Sequence, residues 1–480
     1  SFTRNDKGVY TRFVFDVASF FNLEEEKKQT LIVVQLDNSH DQNIPPLSVG
    51  YALYGGIYRD VWMIITNPVH IKVTDYASAG IFISTPQVTK DSAIVEIRGT
   101  VVNDSDVKQK VDVRNTIVDH KNQIVRQITT TVDIDANAET VFEQKEIVVE
   151  QPHLWSPDDP YLYNVYTEIF IDGDIVDRVK NPLGFRWFSF NPVTGFELNG
   201  KKLQIRGTNR HQDFKGLGHA LPNSQHVTDL EWMKKMGANF VRLAHYPQDP
   251  IVPETCDRLG LLVWEEVPLV NYMNISNEFL QNSKQMLREM IRQHYNHPSI
   301  IMWGSMNEIF LWSKNGDRVN SMEDNVYKQR VRDFAFSLDS LIRHEDPGRY
   351  TAMAFHGSNE YKKAGIDVIP QVQGWNIYHG WYGGKIENLG PWLDRKHRAN
   401  PDKILFISEY GAGSDVRLNA INPKRFDFTG NWQRRYHELY LKQINERPYL
   451  AGTAIWNQFD FSQPHTGGSI AHVNQKGMQT

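Results

Sequence analysis

The sequence predicts a multidomain α and β protein: a partial β-sandwich, an immunoglobulin-like β-sandwich and a C-terminal (β/α)8 TIM barrel. Three observations predict it. At 480 residues the chain exceeds one ordinary domain. Its first 186 residues carry short β-branched, alternating segments separated by turn clusters. From about residue 187, short apolar runs alternate with long amphipathic ones, the pattern of strands joined by helical crossovers.

Residues 1–68 hold two strand candidates, Thr11–Val17 and Thr30–Leu36, before Pro45-Pro46 breaks the pattern and Gly55-Gly56 marks a tight backbone approach. This stretch reads as part of a β-sandwich. Residues 69–186 show period-2 segments such as Ala93–Gly99 and Lys110–Arg114, with the turn cluster Asn103–Asp106 between them. Length and spacing suit an immunoglobulin-like sandwich without the cysteine pair of antibody domains. Residues 187–480 carry eight strand candidates: Leu203–Arg206, Phe240–Leu243, Leu261–Trp264, Ile300–Trp303, Tyr350–Ala354, Val372–Ile377, Ile404–Ile407 and Thr453–Trp456. The clearest helices between and after them are Ser276–His297, Glu323–His344 and Asn431–Glu446. A doubly wound open sheet is the alternative. It normally has a glycine-rich phosphate loop after its first strand, whereas Arg206–His211 has no G-x-G-x-x-G.

In a parallel barrel, catalytic groups gather at the C-terminal ends of the strands. Glu308 ends the run from Ser299, and Glu409 ends the run from Lys403. Two carboxylates are the equipment for splitting a glycosidic bond. Glu409 is expected to attack the anomeric carbon, and Glu308 to protonate the leaving oxygen and then activate water. The fourth and seventh strands face one mouth, so the separation expected is that of retaining enzymes, about 5 to 5.5 Å. The bland reading is that each acid starts a helix, since acids favour helix N-termini.

Around the pair, Asn307 is placed to donate to the sugar 2-hydroxyl, or else to cap a helix. Arg242, within the second strand, is expected to hold a carboxylate ionised, and His245 to donate to a sugar hydroxyl. Glu265-Glu266 offers Arg242 a further partner; no His stands at metal-ligand spacing nearby. After the sixth strand, a phenol in Asn376–Tyr382 is expected to reach the nucleophile. Trp381 and Trp456 are expected as pocket walls, or else as core.

These residues together resemble glycoside hydrolase family 2, the family of bacterial β-galactosidase and β-glucuronidase. The matching pieces are Gly55–Val61, Gly184–Arg186, Arg206–His211, His245–Pro247, Asn296–Ser299, Asn307-Glu308, Asn376–Tyr382, Ser408–Gly411 and Trp456-Asn457. The resemblance implies a sugar-binding jelly roll for residues 1–68, an immunoglobulin-like domain for 69–186 and the catalytic barrel for 187–480. It adds His211 and Tyr378 to the substrate-binding residues. Asp60 matches an aspartate that reaches galactose in the large β-galactosidases, whereas β-glucuronidases tend to place an acid earlier, where this chain has Gly50. Asn474-Gln475-Lys476 resembles the Asn-x-Lys motif with which β-glucuronidases hold the sugar carboxylate. Trp381–Ile386 and Gly411–Asp415 look more like β-galactosidases. The resulting expectation is a retaining exo-β-galactosidase, with β-glucuronidase as the alternative within the family. A non-catalytic carbohydrate-binding protein is the alternative of another class. No cofactor or catalytic metal is expected, because Pro268–Met273 lacks the acid and histidine that hold magnesium in the large β-galactosidases.

Composition fits a carbohydrate partner without requiring one. Aromatics make up 12% of the chain, with 12 Trp and 20 Tyr, which suits stacking on sugars and equally suits a core. The net charge of -5 and the lack of a long basic run favour neither nucleic acid nor an anionic membrane. Cys256, alone, makes an internal disulfide impossible. No apolar run reaches the roughly 18 residues of a membrane span. A soluble protein is expected, periplasmic or cytoplasmic, with oligomeric state open, a homo-oligomer included. A start at Ser1 without Met leads us to expect a piece of a longer chain.

Overall fold

Strand pairing begins at Val69 in the computed structural model, which describes residues 7–8, 10–18, 31–312 and 325–479. The two N-terminal strands expected from the sequence are not hydrogen-bonded into a sheet. Residues 11–17 and 31–36 are without strand pairing, and Thr30 lies outside the described residues. The physical reason is visible in exposure. Leu31, Ile32, Val33 and Val34 face solvent, as do Val61, Trp62, Met63, Ile64 and Ile65. A β-rich sequence forms a strand only against a partner that satisfies its backbone and covers its apolar face. Other parts of this segment dock on the barrel: Tyr10 stacks on Tyr246 at 4.2 Å, and Tyr51 lies against His211 at 4.9 Å.

Two antiparallel four-stranded sheets follow. One holds β1 (Val69–Ile71), β2 (Ile81–Val88), β3 (Ser92–Asn103) and β6 (Ala138–Glu150). The other runs in the order β5 (Ile124–Ile134), β4 (Gln109–Val118), β7 (Tyr163–Ile171), β8 (Asp174–Leu183). Period-2 alternation turns Val95, Ile97, Val113 and Val165 into the core between the sheets. A small antiparallel sheet, β9 (Phe188–Asn191), β10 (Gly195–Leu198) and β11 (Lys201–Lys202), precedes the barrel. Its Phe190, Phe196 and Leu198 pack with Ile205, Phe240, Leu262 and Ile404, which begin barrel strands, and so cover that end.

The barrel closes as β12 (Ile205–Arg210), β13 (Phe240–Leu243), β14 (Leu262–Glu266), β15 (Ile300–Asn307), β16 (Tyr350–His356), β17 (Val372–Asn376), β18 (Ile404–Tyr410) and β19 (Leu450–Ile455). All pairs are parallel, and β12 pairs with both β13 and β19. Outside run α1 (Asn223–Lys235), α2 (Ile251–Leu259), α3 (Asn277–Gln293), α4 (Asn325–Glu345), α5 (Glu360–Ala364), α6 (Leu389–Ala399) and α7 (Gly430–Asn445). Ser276 and Thr429 cap α3 and α7 by accepting from the Phe279 and Trp432 amides. Their buried residues, such as Phe279, Met286, Leu287 and Met290 on α3, fall at helical spacing. After β19 comes a two-stranded ribbon, β20 (Phe461–Ser462) and β21 (Val473–Asn474). Among the described residues no helix is long and apolar enough to cross a membrane.

The barrel interior is filled by Trp264, which is fully buried. Its indole needs two glycines. A Cβ on Gly304 would come 2.3 Å from Trp264 Nε1, and one on Gly374 would come 2.6 Å from Trp264 Cη2 and 2.8 Å from Ser408 Oγ. Gly374→Ala is therefore expected to overpack the barrel centre and cost about 1–3 kcal/mol, read as a lower urea midpoint at unchanged slope.

Candidate active site

Strand alternation decides which acids face the barrel axis. On β14, Glu265 and Glu266 point to opposite sides. Glu265 meets His294 of the outer layer at 2.8 Å. Glu266 meets Arg242 twice, accepting from Nε at 3.0 Å and Nη2 at 2.8 Å. Arg242 is 0% exposed. Its other donors reach Glu409 Oε1 at 2.8 Å and Asn307 Oδ1 at 2.9 Å. Its guanidinium also lies 5.0 Å from the centre of the Trp264 ring. Burial alone would lower the Arg242 pKa, but Glu266 and Glu409 outweigh it and raise the pKa. Burial likewise pushes Glu266 up, and Arg242 with His245 pulls it below the ordinary glutamate value.

Glu409, buried at 5% exposure within β18, receives a second hydrogen bond, from the Tyr378 hydroxyl at 2.8 Å. Burial, and then the Glu409 charge, raise the Tyr378 pKa far above that of a free phenol, so the hydroxyl stays a donor. His245 sits between acids, with Nδ1 2.7 Å from Glu266 and Nε2 3.8 Å from Glu409. Trp456 stacks on its ring at 4.9 Å. His211 packs behind, 5.6 Å from His245 and 4.2 Å from Phe461. Burial first, and the His245 charge second, depress the His211 pKa, so its ring is neutral.

Glu308 follows β15 directly, with its backbone in the left-handed region at φ 51°. A non-glycine residue there costs on the order of 1–3 kcal/mol and persists only where its surroundings enforce it. Its backbone N–H donates to the Ala354 carbonyl at 2.9 Å, and its carboxylate accepts from Asn376 Nδ2 at 2.8 Å. The same Nδ2 lies 3.1 Å from Asn307 Oδ1, and Ser408 Oγ donates to Asn376 Oδ1 at 2.6 Å. Asn307 Oδ1 is thus filled twice, while its Nδ2 has no hydrogen-bond acceptor among the described residues.

The structure brings Glu308, Glu409, Asn307, Arg242, His245 and Tyr378 into one hydrogen-bonded constellation, with Trp456 and His211 as its wall. Lys476 joins from the segment after β21: it is 7% exposed, and its Nζ lies 6.0 Å from the Tyr378 ring and 5.0 Å from the Tyr382 ring. No hydrogen bond or ion pair holds that ammonium among the described residues. Asn474 donates to Gln463 at 3.3 Å, and its Oδ1 is buried with no hydrogen-bond partner among the described residues.

Two residues sit differently from expectation. Trp381 is only 2% exposed and packs beneath Phe426 and Phe428 at 4.6 and 5.1 Å, so it supports the pocket from the core rather than lining it. Asp60 is exposed, and no hydrogen bond or ion pair among the described residues ties it to Lys476 or to either glutamate. It follows from the segment around it, where Val61 and Trp62 also face solvent and no sheet presents the carboxylate to the barrel. Sequence reasoning left Glu266, Asn376, Ser408 and Tyr382 off the list of site residues. The signals were present, since Glu266, Asn376 and Ser408 lie at strand ends and Asn376–Tyr382 is one run.

Chemically, the site pairs one carboxylate with a buried cation and sets a second at the pocket wall with amide support. That division suits a nucleophile and an acid/base. Residues 193–478 match the family model for the glycosyl hydrolases family 2 TIM barrel domain, and residues 73–186 match the glycosyl hydrolases family 2 model. The β-glucuronidase of Bacteroides fragilis is 34% identical over 492 residues, covering 99% of this chain and 66% of that protein. A β-galactosidase of Thermoanaerobacter pseudethanolicus is 33% identical over 343 residues, 70% of this chain and 42% of that protein. Among solved structures, Bacteroides uniformis β-glucuronidase 2 covalently bound to cyclophellitol-6-carboxylate aziridine superposes with a TM-score of 0.89 at 40% identity, over 92% of this chain and 53% of that one. The chain thus spans between under half and two-thirds of the length of these relatives.

Removing Arg242 strands two buried acids. Arg242→Met is expected to cost about 3–5 kcal/mol in chemical unfolding, because Glu266 and Glu409 lose their countercharge. A cost below about 1 kcal/mol would mean the charges are compensated elsewhere.

Proposed function

The chain belongs to glycosyl hydrolase family 2, and from that premise we propose that it serves a retaining β-glucuronidase, removing terminal β-glucuronosyl groups by double displacement. Lys476 carries the choice of sugar. A nearly buried ammonium that no hydrogen bond or ion pair holds among the described residues, beside the tyrosine that touches Glu409 and with Asp460 acting on it only through its charge, is a site prepared for an anion. A uronate carboxylate supplies that anion, with Asn474 beside it as an amide partner. A neutral galactoside would leave the cation with no carboxylate bonded to it. The covalent 6-carboxylate adduct in the Bacteroides uniformis relative supports the same reading. This reading replaces the galactoside expected from the sequence, which leaned on Asp60 and on the segments Trp381–Ile386 and Gly411–Asp415.

In the proposed mechanism, Glu409 attacks the anomeric carbon while Glu308 protonates the leaving oxygen. Glu308, now ionised, then takes a proton from the water that cleaves the glycosyl ester. Arg242 donates to Glu409 and supplies it a buried countercharge. Tyr378 orients the carboxylate through the oxygen that Arg242 does not hold. The open Asn307 Nδ2 donates to the 2-hydroxyl, a contact that strengthens in the transition state.

Two experiments test this. On nitrophenyl β-glycosides, the full-length protein is expected to turn over the glucuronide at least about tenfold better than the galactoside, and Lys476→Ala to lower glucuronide kcat/KM by about 10- to 100-fold while changing the galactoside far less. A galactoside preference that survives Lys476→Ala sinks the sugar assignment. For the roles, azide is expected to rescue Glu409→Ala with an inverted glycosyl azide; inverted rescue of Glu308→Ala instead would exchange the two glutamates.

A further inference from the structure

Asn376 takes no part in bond making in the mechanism above, yet every polar atom of its side chain is committed. Ser408 Oγ donates to its Oδ1 at 2.6 Å, within the barrel interior. Its Nδ2 faces Asn307 Oδ1 at 3.1 Å and Glu308 Oε1 at 2.8 Å. The orientation of the amide is therefore fixed by chemistry. Asn307 must present its oxygen here, because Arg242 donates to the same atom at 2.9 Å. Turning Asn376 over would set its oxygen against that oxygen and against the Glu308 carboxylate. A run of hydrogen bonds thus links the Arg242 guanidinium to Glu308: Asn307 Oδ1 accepts from both Arg242 and Asn376, and Asn376 donates on to Glu308, latched by Ser408, the residue just before Glu409.

An N–H aimed at a carboxylate stabilises its ionised form over its neutral form. For an acid/base residue this has opposite effects on the two halves of the reaction. It works against Glu308 as the acid that protonates the leaving oxygen and favours Glu308 as the base that activates water. We propose that Asn376, held by Ser408, is a positioning residue that sets the ionisation of Glu308 and shifts catalytic power toward the deglycosylation step. This rests on Glu308 being the acid/base. Among the described residues, charged and titratable groups near Glu308 include Tyr378 after β17, Tyr361 on α5, Glu409, which Tyr378 also touches, and, through Asn307, Arg242 on β13. Both phenols are held protonated by burial and so carry no charge against Glu308, while the Asn376 amide donates to its carboxylate directly. Ser408→Ala deletes the latch without touching either glutamate.

The test is the pH dependence of kcat/KM on an unactivated alkyl glycoside of the preferred sugar, in wild type, Asn376→Ala and Ser408→Ala, with Glu308→Gln as the control. The alkaline limb reports loss of the protonated acid. It is expected to move up by roughly one pH unit in Asn376→Ala and by a smaller step in Ser408→Ala. With a dinitrophenyl glycoside, whose first step needs no acid, the acidic limb of kcat in Asn376→Ala is expected to move up as well, since the base form becomes scarcer. Ser408→Thr, which keeps the hydroxyl, is expected to return the limb toward wild type. Equal loss of rate at every pH, with both limbs unmoved, would make Asn376 a packing residue and overturn the proposal. An alkaline limb that persists in Glu308→Gln would instead show that Glu308 is not the acid, and the underlying reading would fall first.

Discussion

Everything at the barrel mouth depends on one buried cation. The Arg242 guanidinium has no exposure and is satisfied by Glu266, Glu409 and Asn307 together. Burying a charge is costly unless it is paired and fully hydrogen-bonded. Here the planar fork meets that condition in several directions at once, which an ammonium at the same place would not. The same contacts give Glu409 a countercharge and fix which way Asn307 turns. From Asn307 the constraint passes to Asn376 and from there to Glu308. The two glutamates are therefore not independent groups that happen to share a pocket. They are the two ends of one hydrogen-bonded system anchored on Arg242.

That system needs a rigid frame. Trp264 lies with its ring centre 5.0 Å from the guanidinium and fills the barrel centre, and Gly304 and Gly374 give it room. The Gly374 position also clears space for the Ser408 hydroxyl. Core packing and site chemistry meet at one residue there. The strained backbone of Glu308 belongs to the same logic, because the strand end, the Ala354 carbonyl and the Asn376 amide together hold a conformation that glutamate does not prefer.

Much of this was legible in the sequence where the signal is local. Each barrel strand announces itself as a short apolar run, and the observed strands start within two or three residues of those expected. Several extend further at their C-terminal ends: β12 continues through Arg210 and β15 through Asn307, because polar residues there still pair in the barrel. The glutamates were legible because strand ends are where barrels put chemistry. The roles of Asn376 and Ser408 were not. Their partners lie 68 and 32 positions away in the chain, and only closure of the sheet brings them together. The N-terminal segments fail for the converse reason. Their composition is that of strands, but a strand is a property of a pair, and 31–36 and 61–65 are unpaired with their apolar side chains in solvent. Trp381 shows a third kind of limit, since a large ring beside a pocket can face in or out and composition does not say which.

The arrangement separates the residues of the barrel sheet from those of its rim. Arg242, Asn307, Asn376, Ser408 and Glu409 stand on barrel strands, and Glu308 directly follows one, so all are held by the sheet itself. Lys476 comes from the segment after the β20–β21 ribbon, outside the barrel sheet, and reaches the site from its rim. A change there alters the charge presented to the substrate without disturbing the Arg242 system, whose contacts do not include it. Loops on a rigid scaffold are where specificity is expected to vary. Relatives that share the family and differ in the sugar of their names fit this division. The barrel carries the acids and their partners, and the rim contributes the Lys476 cation.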